Sequence, residues 1–439
     1  MIKTLRNRNF ALLWLGGLIS TAGDWVLMVG LPIYVYLLTH SVLATSITLI
    51  TSMVPNILFG SVAGIFVDRW DRRRTLIGAN ALLALGLLPL LLVRTPDLVW
   101  IVYVVSFVEA CLEQFTAPAQ NALLPALVGE DHLVAANSLN GVSSNLARLV
   151  GPALGGLIAA LGGLNGIVLA DAASFVLAGV LISFIAGRTA STRLAPAAET
   201  GESVPAAEAG AISRAGREWL DGLGVIFHER TLRFLLLMFG ISMLGEGVFG
   251  VLYPVFVYRI LHGAALQIGQ LMSAQAVGGL MGGLLVGWIG KRVMSRWVIG
   301  LGQVAFGLID LAIFNTPAFF PVYWLSVGLF VAVGIPGLAS STGAQSLLQA
   351  RTPDAYLGRV FGALGTTMGL LGLIGAVIAG TLTDRFGLIP VLNVQGAGYV
   401  VAGLLMVVFL PRARKPGNSP AVADASASAP PPALAGVDG

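Results

Sequence analysis

The 439-residue chain has 56% hydrophobic and only 10% charged residues, whereas soluble proteins carry about a quarter charged residues. Together with a mean hydropathy of +0.87, this composition indicates an integral membrane protein. The net charge is only +4 and the basic residues form short clusters between apolar runs, so we expect no nucleic-acid partner. The single cysteine, Cys111, excludes an intrachain disulfide and any CxxC metal or redox site, and we expect no cofactor.

Twelve segments are apolar enough to be transmembrane helices, which need about 20 mostly apolar residues. In chain order they cover residues 10–38, 44–67, 75–93, 98–120, 136–161, 165–186, 232–260, 266–289, 297–315, 319–347, 360–382 and 388–411. Because isolated strands cannot span lipid, the sequence predicts an all-α polytopic membrane protein made of bundled helices. An even number of spans places both termini on one side of the membrane.

The distribution of lysine and arginine predicts which side that is. Of the 25 Lys and Arg residues, 21 fall in the termini and in the connections on the same side as the termini. Only Arg94, Arg259 and Arg385 fall on the opposite side, and Arg148 falls within a span. Cytoplasmic segments carry an excess of positive charge, so both termini are predicted to be cytoplasmic, with the protein in the cell (inner) membrane.

A polar segment separates two sets of six spans. Residues 189–211, TASTRLAPAAETGESVPAAEAGA, are rich in Ala, Pro, Ser and Glu and predict a disordered linker. The stretch 217–230 then places four apolar residues on one helical face, which predicts an amphipathic helix on the cytoplasmic membrane surface: Trp219, Leu223, Ile226 and Phe227. The expected organisation is an N-terminal six-helix bundle (1–187), a cytoplasmic linker with this helix (188–230), a C-terminal six-helix bundle (231–411) and a disordered cytoplasmic tail (412–439).

The two sets of spans repeat one sequence plan. STAGDWVLMVGLPIYVY (20–36) aligns with SMLGEGVFGVLYPVFVY (242–258) at an offset of 222 residues, so that Asp24 matches Glu246. Later spans repeat at similar offsets, as in the match of Gly60 with Gly279. Six spans repeated in one orientation predict two pseudo-symmetric bundles related by an axis along the membrane normal. Alternating-access transporters are built in this way, with the substrate site between the halves.

The loop after the second span carries a motif. GIFVDRWDRRR (64–74) resembles the major facilitator superfamily signature G-x-x-x-D-R-x-x-R-R through five residues: Gly64, Asp68, Arg69, Arg72 and Arg73. Four further segments are similar to the exporter branch that contains macrolide-efflux and enterobactin-exporter proteins: FTAPAQNALLPALV (115–128), AANSL (135–139), GPALGG (151–156) and GRVFG (358–362). The resemblance implies a secondary transporter of small molecules.

The position of the motif suggests a physical role for its aspartate and arginines. Asp68 would lie at the C-terminal, cytoplasmic end of span two, where the helix dipole disfavours a carboxylate. It needs a positive partner, which a neighbouring helix N-terminus or the adjacent arginines supply only while the cytoplasmic side is closed. The resemblance implies the same role as a cytoplasmic gate. The alternative is that the arginines only fix topology and contact anionic lipid head groups.

Acidic residues at the centres of spans one and seven are the first candidates for proton coupling or substrate binding. Asp24 and Glu246 lie there, and a charge at that depth costs about 2.5–3.5 kcal/mol on insertion scales. Such residues usually face a cavity or a partner. The alternative is that each is a neutral, hydrogen-bonded packing residue.

Four other acids and one base also fall within spans. Glu109 and Glu113 are one helical turn apart in span four, and Arg148 in span five is the candidate compensating charge. Asp310 lies in span nine, and Asp171, near the outer end of span six, is expected to start a helix or to pack. An excess of acids suits lipophilic cations or neutral compounds and proton antiport, and it argues against a catecholate siderophore.

GPALGG (151–156) resembles the antiporter signature of span five. Pro152 is expected to bend the helix, and three glycines, Gly151, Gly155 and Gly156, allow a partner helix to approach closely. The resemblance supports export by antiport. Plain helix packing explains the small residues equally well.

These features together predict a proton-coupled exporter of lipophilic cationic or neutral small molecules, as in multidrug or macrolide efflux, acting as a monomer. The alternatives are a siderophore exporter, a lysophospholipid transporter or, from another class, a non-transporting receptor or scaffold, which does not need paired acids at the membrane centre. An enzyme is not expected, because the four histidines (His40, His132, His228 and His262) fall in predicted loops or surface segments and no Cys/His cluster or phosphate-binding loop occurs.

Overall fold

The computed structural model describes residues 2–67, 70–129, 132–186, 211–353 and 356–410, and its main elements are thirteen α-helices within these ranges. They are α1 (Ile2–Leu5), α2 (Arg8–Thr39), α3 (Val42–Val67), α4 (Arg72–Leu87), α5 (Val99–Val128), α6 (Leu133–Ser183), α7 (Ala211–His228), α8 (Arg230–Arg259), α9 (Ala265–Ile289), α10 (Arg296–Asn315), α11 (Tyr323–Arg351), α12 (Leu357–Phe386) and α13 (Leu388–Phe409). Four 3-10 segments adjoin them: Leu88–Leu92, Pro96–Leu98, Gly290–Met294 and Thr316–Ala318. The predicted linker residues 188–210 and the predicted tail 412–439 lie outside the described residues.

Eleven helical stretches in the described chain are long and apolar enough to cross a membrane. One of them, α6, has 51 residues and would be about 77 Å long if straight, well over the bilayer's hydrocarbon thickness of about 30 Å. Gly163 divides it, with a φ of 54° and a ψ of −147° that only glycine adopts readily. The two parts are separate spans, and the predicted fold of twelve membrane-spanning helices is confirmed.

Polar side chains fix the starts of several spans. Four of them accept hydrogen bonds from first-turn amides of α2, α4, α8 and α10, respectively: Asn7, Asp71, Glu229 and Ser295. Each such bond satisfies an amide that has no partner within its own helix. The four caps lie on one side of the membrane, because these helices alternate with helices that run the other way. We call this side, where α2 begins, the N-terminal side and the other the far side.

The helix α7 packs against the second bundle, which consists of α8 to α13. Ile226 is fully buried and shares an apolar cluster with Val360 of α12. Gly222 allows a close approach, because a Cβ there would lie 2.3 Å from the carbonyl oxygen of Arg359. Phe227, in contrast, is 54% exposed. Part of the predicted amphipathic face is thus buried in protein.

The first bundle, from α2 to the end of α6, touches the second on the far side. The hydroxyl of Ser46 donates a hydrogen bond of 2.6 Å to the carbonyl oxygen of Ala376. The rings of Tyr36 and Tyr258, at the far-side ends of α2 and α8, meet edge to face with their centroids 5.9 Å apart. The two halves are therefore packed together beyond the membrane centre.

Candidate functional site: a cavity between the two bundles

A cavity of about 810 Å³ lies on the N-terminal side of these contacts. Its walls come from α2, α3, α4, α5 and the second part of α6, and α12 of the other bundle completes them through Gly365, Thr366 and Gly369. Along α2 the lining residues run from Leu13, near the start of the helix, to Asp24 at its middle. The cavity thus reaches from the N-terminal side to the membrane centre.

The lining is rich in groups that form hydrogen bonds. Asp24 and Glu113 supply carboxyl groups. Amide and hydroxyl side chains complete the polar lining: Ser20, Thr21, Asn56, Asn80, Gln114, Thr116, Gln120 and Thr366. Two predicted site residues therefore line one cavity.

Four carboxyl groups of the first bundle are close enough to interact electrostatically: Asp24, Glu109, Glu113 and Asp171. Asp171 is 0% exposed, and its Oδ1 accepts a hydrogen bond of 3.2 Å from the hydroxyl of Ser174. The Oδ1 of Asp24 and the Oδ2 of Asp171 are buried and have no hydrogen-bond partner among the described residues. Several buried negative charges without cations are unfavourable, and the binding of protons removes those charges.

Asp171 is the member of this cluster that sequence reasoning undervalued. It follows the break at Gly163 by eight residues, which places it about 12 Å farther into the membrane rather than at the helix start. It also touches α2 closely, because a Cβ on Gly23 would lie 2.4 Å from the Oδ1 of Asp171. The sequence offered one signal, a glycine (Gly23) directly before Asp24, which indicates that another helix lies close to α2 at this point. It does not show that this helix is the second part of α6, which carries Asp171.

Two acids of the second bundle, Asp310 and Glu246, interact electrostatically with each other but lie in different surroundings. Asp310 is only 4% exposed, and its Oδ2 accepts a hydrogen bond of 3.1 Å from the amide of Gln395. The same amide lies 3.4 Å from the hydroxyl of Tyr399. Glu246 acts electrostatically on Asp310, but its own side chain is exposed. Asp310 therefore belongs to an internal polar network, whereas Glu246 is accessible.

Arg148 interacts with an acid of the other bundle. Its guanidinium acts electrostatically on Glu246 of α8. The charged groups that act on Glu109 are all carboxyls. Arg148 of α6 thus attracts Glu246 of α8 in the other bundle. It does not offset the charge of Glu109 in the acid cluster of the first bundle.

The glycines of GPALGG hold α6 against its neighbours. A Cβ on Gly151 would lie 2.4 Å from the Cβ of Trp25, and a Cβ on Gly155 would lie 3.1 Å from the Cα of Val26. Both glycines therefore permit contact with α2 at the two residues that directly follow Asp24. Interhelical contact through small residues is a general mode of packing in membranes.

The other two residues of this segment pack against the second bundle. A Cβ on Gly156 would lie 2.5 Å from the carbonyl oxygen of Ala265 in α9. The carbonyl oxygen of Pro152 faces Gly269, where a Cβ would be only 2.3 Å away. The segment is thus part of the interface between the halves.

Of the predicted gate, the structure shows Gly64 as part of α3 and describes the side chains of two arginines; Asp68 and Arg69 lie outside the described residues. Arg73 donates from Nε to the carbonyl of Ile182 at 3.3 Å and from Nη2 to the carbonyl of Ser183. It therefore caps the end of α6. The buried Nε of Arg72 has no hydrogen-bond partner among the described residues.

The described part of the chain, with its membrane-spanning helices in two bundles around a central polar cavity, has the architecture of transporters of the major facilitator superfamily. The chain belongs to the transmembrane secretion effector family (MFS_3), whose model matches residues 2–435. It is therefore a multi-pass membrane transporter and not an enzyme, as the sequence predicted.

Two relatives carry names that the sequence analysis anticipated. Over 394 residues the chain is 26% identical to macrolide efflux protein A of Streptococcus pyogenes, covering 86% of this chain and 90% of that protein. Over 431 residues it is 28% identical to the enterobactin exporter EntS of Citrobacter koseri, covering 94% and 95%. The predicted resemblance to this exporter branch is confirmed.

A solved structure supports the fold. A bacterial homologue of the iron transporter ferroportin, in its inward-facing state, matches 91% of this chain and 98% of its own with a TM-score of 0.71 at 18% identity. The outward-facing state of such a homologue gives a TM-score of 0.56 at the same identity and coverage.

Proposed function

We propose that this protein exports lipophilic cationic or neutral small molecules in exchange for protons, by alternating access, through the cavity that ends at Asp24. The cluster of carboxyls at the inner end of that cavity carries the proposal. An acid there can hold either a proton or a positive charge of the substrate. Binding of one then displaces the other, which is the basis of antiport.

Burial supports the choice of Asp24 as the central group. One of its oxygens is buried without a hydrogen-bond partner among the described residues, and three other carboxyls surround it. Full ionisation of four neighbouring carboxyls within the membrane is unfavourable because the charges repel one another, so at least part of the cluster is expected to carry protons. Glu113 lines the same cavity and is the second candidate for proton exchange.

The packing of the halves supports an inward-facing state. The contacts named above lie on the far side, whereas the cavity lies on the N-terminal side. With both termini in the cytoplasm, as the distribution of Lys and Arg predicts, substrate enters this cavity from the cytoplasm. When the N-terminal side closes, the loop of Asp68 and Arg69 would act as the cytoplasmic gate.

The relatives leave the choice between substrates to experiment. One is a macrolide efflux protein and the other an enterobactin exporter. The cavity presents carboxyl groups and neutral amides, which favours cations and neutral amphiphiles over a polyanionic siderophore. We further propose that the protein acts as a monomer in the cell membrane, with an N-terminal bundle (1–187), a cytoplasmic linker (188–230), a C-terminal bundle (231–411) and a cytoplasmic tail (412–439).

The test uses purified full-length protein in vesicles with an imposed pH gradient and an internal pH dye. Tetraphenylphosphonium, a macrolide, a catecholate siderophore and a lysophospholipid are added separately. We expect the cation or the macrolide to dissipate the gradient, and we expect Asp24→Asn to abolish this effect. Asp97→Asn, in the far-side connection before α5, is the matched control and should behave as wild type.

The alternatives predict different results in the same assay. A response to the siderophore alone would show that the protein exports a siderophore rather than a lipophilic cation or neutral compound. A response to the lysophospholipid alone would show that it transports a lysophospholipid. Transport of a substrate without movement of protons would contradict the proposed exchange for protons. Absence of transport for all four compounds, with the folded protein verified by its elution as a single species, would favour other substrates or a non-transporting role.

A further inference from the structure

A second cavity, a groove of about 620 Å³, lies in the second bundle between α8, α12 and the last turn of α7. All of its lining residues belong to these three helices. Its walls are apolar along most of their length, as at Leu237, Leu244 and Leu371, and two arginines, Arg230 and Arg233, lie at one end. This groove takes no part in the function proposed above.

The groove faces away from the central cavity. Along α12, Gly365 and Gly369 line the central cavity, whereas Thr367 and Leu371 line the groove. Two residues along an α-helix differ in direction by about 200°, so the two pairs lie on nearly opposite sides of α12. No residue of the first bundle lines the groove among the residues that the structure describes. It therefore opens toward the surrounding lipid.

The depth of the groove matches one leaflet of a bilayer. Arg233 lies near the start of α8 and Leu244 lies eleven residues deeper, which corresponds to about 16 Å along the helix. Half of the hydrocarbon core is about 15 Å thick. An acyl chain that starts at the arginines would therefore reach the inner end of the groove near the membrane centre.

The charges at the open end are available for an anion. The side chains of Arg230 and Arg233 are both exposed. The Cζ of Arg230 lies 5.9 Å from the centroid of the Phe234 ring. This contact with the ring face does not use the N–H groups of the guanidinium, which can therefore bind an acceptor. The nearest acid in sequence, Glu229, is engaged in accepting a hydrogen bond from the amide of Leu232. Basic clusters at the head-group level of a membrane attract anionic lipids.

We propose that this groove binds an anionic phospholipid, with the phosphate between Arg230 and Arg233 and one acyl chain along Leu237, Leu244 and Leu371. The arginines select the negative head group and the apolar walls select the chain. Gly240 lines the groove as well, and its lack of a side chain lets Leu371 of α12 lie close to α8, because a Cβ there would lie 3.0 Å from the Cδ1 of Leu371. The lipid would brace α7 against α8 and α12.

Native mass spectrometry of the full-length protein in detergent tests the proposal, with phosphatidylglycerol and phosphatidylcholine of identical chains as probes. We expect wild type to retain phosphatidylglycerol at least about tenfold more tightly than phosphatidylcholine. Arg230→Gln with Arg233→Gln should remove that preference, and the double lysine variant should keep most of it. The matched control is Arg292→Gln with Arg296→Gln, two basic residues on the same side of the membrane, and it should bind like wild type.

Two further arms separate a lipid from a simple anion and from a folding defect. Glycerol phosphate, which has the head group without chains, should not compete, and Gly240→Leu should weaken phosphatidylglycerol binding although both arginines remain. Equal phosphatidylglycerol binding by the glutamine variant and its control overturns the proposal. Competition by glycerol phosphate would equally overturn it, by showing an anion site without a chain site. The lysine variant guards against loss of fold, because it preserves charge at the same positions.

Discussion

Tyr36 and Tyr258 hold equivalent positions in the two repeats and meet edge to face across the interface, with ring centroids 5.9 Å apart. The guanidinium of Arg259 adds to this contact, 5.5 Å from the centroid of the Tyr36 ring. Aromatic pairs in this geometry contribute about 0.5–1.5 kcal/mol beyond their buried area. The repeat thus brings a residue and its own counterpart together where the far side is closed.

Removal of this contact should shift the protein toward an outward-open state. Tyr258→Ala takes away one ring of the pair, which should weaken far-side closure by about 1 kcal/mol, or about fivefold in the population ratio. Spin labels at Ser138 of α6 and Leu284 of α9, in a Cys111→Ser background, report the N-terminal side. We expect shorter distances between these labels in the variant. An unchanged distance distribution would show that the tyrosine pair does not contribute to closure.

The close approach of Gly269 to Pro152 should be essential for the same closure. In Gly269→Ala the new Cβ would meet a backbone oxygen at 2.3 Å, so α6 and α9 must separate. We expect a loss of transport and a free energy of unfolding that is lower by about 1–3 kcal/mol. Gly279→Ala in the same helix adds a methyl group to open space and is the matched control. Equal activity of both variants would mean that the interface adjusts without cost.

Gly23 should be required for the position of Asp171. A Cβ at Gly23 would lie 2.2 Å from the hydroxyl oxygen of Ser174 and 2.4 Å from the Oδ1 of Asp171, so Gly23→Ala should cost about 1–3 kcal/mol and impair transport. Ser174→Gly removes part of the obstruction and should restore stability to Gly23→Ala. The measurement is thermal unfolding of the single and double variants. Additive effects in the double variant would argue against this contact as the cause.

The attraction between Arg148 and Glu246 should appear as coupling between the two halves. Arg148→Glu places two acids together and should reduce transport strongly, as should Glu246→Arg. The exchanged pair restores opposite charges, and a coupling energy of about 0.5–3 kcal/mol is expected from the transport rates in a double-mutant cycle. Rates for the exchanged pair that equal the product of the single effects would show that the two side chains act independently.

The spans and the repeat could be predicted from the sequence because both depend on local hydrophobicity and on residue spacing. The span that the sequence splits between residues 161 and 165 corresponds to the break at Gly163, and the predicted start of span seven at residue 232 falls two residues inside α8. Hydrophobic runs and polar caps such as Glu229 determine these boundaries without knowledge of tertiary contacts.

The partners of buried charges could not be predicted in the same way. Arg148 was expected to offset Glu109 and Glu113, but its electrostatic partner Glu246 comes from the other bundle. Asp171 was expected to start or pack a helix, but it joins the acid cluster around Asp24. In both cases the outcome depends on the rotation of each helix about its axis, which twelve nearly uniformly apolar spans do not encode clearly.

Proton release on substrate binding tests the central claim most directly. Tetraphenylphosphonium is added to weakly buffered, purified protein, and a pH dye measures the protons released. Because cation and proton compete for the carboxyl cluster, we predict proton release by wild type, none by Asp24→Asn, and weaker binding of the cation at lower pH. Saturable cation binding that releases no protons and does not vary with pH would contradict antiport through Asp24.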